Sequence, residues 1–174
     1  EKANNHYKDA LQMAVEYKDD FVQAQIVANL ISLYRTTGDI VGYNHYQKEL
    51  DSLYNVSNSA KLKTIYHIYW AKEYFARKEF AMAETQLQQC WNVMQDLSFS
   101  DREQAKLDYY SNMMNLKQQQ KEYKDAIRFA KNHIEQTKIL NGRNCDLQYL
   151  SYSNLCKLYA LNNDSTEALS LIHI

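Results

Sequence analysis

The stretch "LYRTTGDIVGY", Leu33 to Tyr43, places one of the chain's three glycines directly before an aspartate, between two runs of helical character. The same joint returns further along. Aligned on the turn, it matches "EYFARKEFAMA" (Glu73 to Ala83), "LKQQQKEYKDA" (Leu116 to Ala126) and "LYALNNDSTEA" (Leu158 to Ala168). In each copy a helix runs out in polar residues, and an acidic residue or its neighbour begins the next helix. A packing position then follows three residues after a lead residue. The lead residues are Ile40, Phe80, Tyr123 and Ser165, at spacings of 40, 43 and 42 residues, each the length of a helical hairpin.

Upstream of each turn, bulky or apolar residues recur at three- and four-residue steps along one helical face. They are Val27, Leu30, Ile31 and Tyr34, then His67, Trp70, Ala71 and Tyr74, then Tyr110, Met113, Met114 and Lys117, then Tyr152, Leu155, Cys156 and Tyr159. Downstream, Ala83, Ala126 and Ala168 hold an early position of the second helix where a small side chain lets two backbones approach, and Tyr43 breaks that rule. At the N-terminus, "HYKDALQMAVEY" reads as a second helix alone, with Tyr7 and Ala10 in the lead and small positions, so its first helix is expected before Glu1. Ser100 with Glu103, and Asp164 with Glu167, read as capping boxes. A chain with no proline and only three glycines has almost nothing to interrupt helices.

These boundaries give one domain over 1–174: a half repeat at 1–20 with its helix at 5–18, repeats at 21–55, 59–97 and 101–140, and a truncated repeat at 145–174. Short polar links, "NVSNSA" and "LNGRN", suit antiparallel helices. The chain resembles the tetratricopeptide repeat family, whose pattern is bulky, Leu, small, Tyr, then Ala after the turn. The Trp, Gly and terminal Pro of strong copies are missing, so the resemblance rests on repetition. The spacings exceed the roughly 34 residues of the standard unit, as in the long repeats of bacterial sensors and transcription regulators.

The resemblance implies an all-α fold, a right-handed α-solenoid of stacked antiparallel helix pairs, whose first helices line a ligand groove. Transferred onto this sequence, that groove would expose Gln25, Ala28, Ser32 and Arg35, then Ile68, Lys72 and Phe75. Asp108, Ser111, Asn115 and Gln118 would follow, then Ser153 and Lys157. The cations, amides and hydroxyls suit an extended protein or peptide ligand that is acidic or carries a carboxylate, with Phe75 as a flat anchor. The denser Lys, Asn and Arg set of the chaperone-binding members is not reproduced. The function implied is a protein- or peptide-binding module, the sensing or docking domain of a larger bacterial signalling protein. The alternatives are a passive assembly or oligomerisation scaffold and a helical-solenoid hydrolase.

Composition narrows the partners. Lys and Arg total 20 against 21 Asp and Glu, a net charge of −1, which provides no field for nucleic acid or anionic lipid. No apolar run approaches the roughly 18 residues of a membrane span, so this segment is expected not to insert in a membrane. The opening "EKANNHYKDA" lacks an initiator Met and a signal-peptide core, so the chain reads as a soluble excerpt, compatible with bacterial cytoplasm or periplasm. Cys90, Cys145 and Cys156 form no C-x-x-C pair, and His67 has no ligand spacing around it, so neither metal nor cofactor is expected. Tyr34, Tyr74 and Tyr159 are read as space-fillers between helices. Glu73 and Glu103 are the carboxylates nearest to inward positions, without an evident apolar pocket or partner acid, and no G-x-S-x-G is present. The chain is therefore expected not to be an enzyme. At the other end, Leu169, Leu171, Ile172 and Ile174 suggest self-association through the C-terminus.

Overall fold

A computed structural model describes residues 2–141 and 145–170, with the side chains of 4–140 and 149–170. Every long element among them is an α-helix, and no strand occurs. In order these are α1 (Lys2–Glu16), α2 (Asp20–Thr37), α3 (Ile40–Val56), α4 (Ala60–Ala76), α5 (Phe80–Val93), α6 (Phe99–Gln119), α7 (Tyr123–Asn141), α8 (Cys145–Leu161) and α9 (Ser165–Ser170). A single 3₁₀ turn, Met94–Asp96, extends α5. The four lead residues read from the sequence are the first residues of α3, α5, α7 and α9.

The reason lies in the joints. Lys18, Gly38, Lys78, Lys121 and Asn163 all adopt the left-handed conformation, with φ of 55, 74, 63, 62 and 59°. In each case the amide of the following residue donates back to the carbonyl five residues before it: Asp19 to Ala14, Asp39 to Tyr34, Glu79 to Tyr74, Glu122 to Lys117 and Asp164 to Tyr159, at 2.9–3.0 Å. This closure satisfies carbonyls that the helix end leaves unpaired, and it starts the next helix two residues later. The α1–α2 joint is thus a fifth copy. Its α1 begins at Lys2, so Tyr7 is not a first helical residue, contrary to the expected match.

Two local readings are corrected. The cap of α6 is Ser98, whose hydroxyl accepts from the Asp101 amide at 3.3 Å, and Ser100 lies inside the first turn. The small position of the α2–α3 hairpin is filled one residue early, by Gly42, where a Cβ would come within 2.6 Å of the Tyr34 ring. Tyr43 therefore needs no small side chain.

The chain forms two compact units, Glu1–Tyr69 and Trp70–Ile174. In the first, Tyr34 near the end of α2 donates to Asn4 near the start of α1 at 2.9 Å, and Ser57 beyond α3 bonds Asp20 at the start of α2, so these helices alternate in direction. Val27, Leu30 and Ile31 are fully buried with Leu50 and Leu62, each aliphatic side chain contributing about 2 kcal/mol by leaving water. His67 is buried edge-on to Tyr54 and Tyr66 with ring centroids 5.5 Å away, a packed imidazole.

In the second unit, Lys117 near the end of α6 reaches Glu84 near the start of α5, and Gln136 of α7 reaches Glu103 at the start of α6. His133 of α7 meets Ser151 of α8, and Cys156 of α8 meets the Ala168 carbonyl of α9. The small alanines Ala83, Ala126 and Ala168 are all buried, as close backbone approach requires. Leu87, Cys90, Met94, Leu116 and Leu158 fill the core between them.

Candidate functional site

The tetratricopeptide resemblance implies one exposed face on each of four helices, and the structure treats these faces differently. On α2, Gln25 and Arg35 are exposed and Ser32 is half-buried, its hydroxyl donating to the Ala28 carbonyl at 3.1 Å. Their three- and seven-residue steps align them along one side of the helix. On α4, Ile68 is only 8% exposed, so it is core and not a ligand contact. The cause is a wider buried face than one stripe predicts: Leu62, Thr64, His67 and Tyr69 are buried on the same helix. Lys72 remains exposed, and Phe75 is half-buried with its ring 6.0 Å from that of Phe80.

On α6, Asn115 is exposed, with Ser111 and Gln118 half-buried on the same side. On α8, Ser153 is half-buried and Lys157, one turn later, is exposed. Gln25, Ser32, Arg35 and Ile68 belong to the first unit, and the other seven to the second.

Arg35 borders a surface depression that the sequence did not foresee. At the α2–α3 joint, Tyr34, Arg35, Gly38, Asp39, Ile40, Tyr43 and Asn44 line an open depression of about 270 Å³. Sites for whole small molecules start near roughly 300 Å³, so this one suits a single side chain. The Tyr34 ring stacks on Tyr46 at 5.5 Å and lies over Gly42, while the Tyr43 hydroxyl accepts from Gln47 at 2.8 Å. The Asp39 carboxylate accepts from the Gly42 amide at 2.9 Å and so caps α3. Arg35, Asn44 and Asp39 supply polar groups at the rim, and Ile40 an exposed apolar wall. The signal available in the sequence was the lead residue itself, aliphatic at position 40 where the next two copies are aromatic.

The acidic residues weighed for catalysis prove to be buried, Glu73 at 2% and Glu103 at 5% exposure. Glu103 accepts from Lys106 at 2.7 Å and from Gln136 at 2.8 Å, and these bonds hold its carboxyl below the usual carboxylate range. Such a group is anchored as a charge and ill-suited to proton transfer near neutrality. Burial pushes the Cys90 thiol up to about 12, with the Asp108 charge adding to the effect. Burial lowers His133, against the opposing pull of Asp108. Among the described residues no group of three or more His, Cys, Asp or Glu is placed to hold a metal ion. No described helix is long and apolar enough to cross a membrane. Leu169 is 60% exposed, and Leu171, Ile172 and Ile174 lie outside the described residues, as does the side chain of Cys145.

No protein-family profile and no curated protein matches the chain. Among solved structures, the crystal structure of BtubC (BKLC) from P. vanneervenii is similar, with a TM-score of 0.73 at 20% identity over 99% of this chain and 70% of that one. At that identity the likeness speaks to the fold alone, and it agrees with an all-helical chain.

Proposed function

We propose that this chain is a protein- or peptide-binding module of tetratricopeptide type, without catalytic activity of its own, serving as the sensing or docking segment of a larger bacterial signalling protein. The supporting observation is Arg35. The family resemblance implies that it faces the groove, and it borders a depression with Tyr34 and Tyr43 at one end of the α2 face that also carries Gln25 and Ser32. A guanidinium beside amides and hydroxyls suits an extended ligand bearing a carboxylate.

A peptide array containing acidic and free-carboxylate sequences tests this reading. Arg35→Ala and Gln25→Ala should each weaken the selected peptides about tenfold, the effect of one charge-assisted bond of about 1.4 kcal/mol. Unchanged affinity in both variants would remove α2 as the docking face. The competing scaffold reading draws on the exposed Phe99, Ile139 and Leu169 of the second unit. Sedimentation equilibrium separates the two, because a scaffold self-associates without peptide and a docking module does not.

A further inference from the structure

We draw no further inference here: the strongest candidate, the His133–Ser151 contact across the α7–α8 interface with Asp108 of α6 acting on the same imidazole, carries nothing, because Ser151 is only 5% exposed and out of reach of a substrate, and the titration of His133 alone is too small a change to release a helix that also buries Leu155 and Leu158.

Discussion

Tyr34 and Lys117 hold the same place in two copies of the hairpin, six residues before Ile40 and Tyr123, and the two copies fill that place by opposite chemistry. In the first unit a ring lies flat over a glycine, stacks on Tyr46 and sends its hydroxyl to Asn4. In the second, an ammonium only 9% exposed is held between Glu84 at 2.8 Å and Glu122 at 3.0 Å. Burial alone would lower the Lys117 pKa, but its bonds to Glu84 and Glu122 outweigh that and hold it above the usual range. The repeat thus demands a filled, satisfied position at the end of its first helix and is indifferent to how this is achieved. The shape solution is vulnerable to added volume, and the charge solution to lost charge.

The largest expected effect tests the shape solution. Gly42→Ala places a methyl group 2.6–2.8 Å from the root and edge of the Tyr34 ring, which cannot swing clear without leaving Tyr46. Overpacking of this kind costs about 2 kcal/mol, to be read as a lower urea midpoint by circular dichroism. Tyr34→Leu in the same background should recover part of that loss.

Next comes the charge solution. Lys117→Met keeps the volume and strands two carboxylates, at an expected cost of about 1–2 kcal/mol, because both reach water more readily than a fully buried pair. Trp91 packs against Tyr109 within the second unit, so in a Trp70→Phe background its fluorescence follows that unit. The Lys117→Met loss should appear in tryptophan emission, and the Gly42→Ala loss in circular dichroism without an equal change in emission. Equal responses in both signals would show that the two units unfold together.

A smaller effect belongs to the joints. Lys121→Gly relieves a left-handed lysine and should stabilise by about 1 kcal/mol, while Gly38→Ala should destabilise by about the same amount through backbone conformation alone, its Cβ meeting open space. Melting temperatures of the two variants, moving in opposite directions, check this.

The smallest is a pH dependence of the second unit. Glu103 is held below its ordinary value of 4.5, so the folded state binds its proton more weakly than the unfolded state does. Its contribution is complete above that value and is lost as pH falls through the lower folded one. His133, lowered by burial, acts in the same direction at milder acidity: its contribution is complete above 6.5 and is lost as pH falls. Lys117, raised, loses its contribution only as pH climbs through its folded value in strong alkali. Urea midpoints followed by tryptophan emission should therefore fall first below pH 6.5, through His133, and again below pH 4.5, the second fall being smaller in Glu103→Gln.

Much of this architecture was legible in the sequence, because the joint is a local device. Its left-handed residue, its acidic cap and the alanine three positions into the next helix all lie within a few residues of one another, so alignment alone found the first residues of four helices. What escaped depends on packing across helices. Ile68 follows directly after the stripe residue His67, and periodicity marks the direction of a buried face without giving its width. Glu103 was read as half of a cap because its partner, Gln136, is 33 residues away. Gly42 was passed over because the alignment sought a small residue one position later. The depression beside Arg35 involves the Tyr34 ring and residues on both sides of the turn, which no stripe along a single helix gives.

The five left-handed joints also fix where this chain tolerates changes of length. One residue inserted at such a joint would rotate the following helix by about 100°, carrying Ala83, Ala126 or Ala168 away from its contact and the whole buried stripe with it. The α3–α4 and α5–α6 links are built differently, through the extended residues Ser57 and Leu97, with no backward closure of the left-handed kind. Insertions, tags or whole guest domains are accommodated there, so tolerance to added sequence should alternate along the chain with the period of the hairpin.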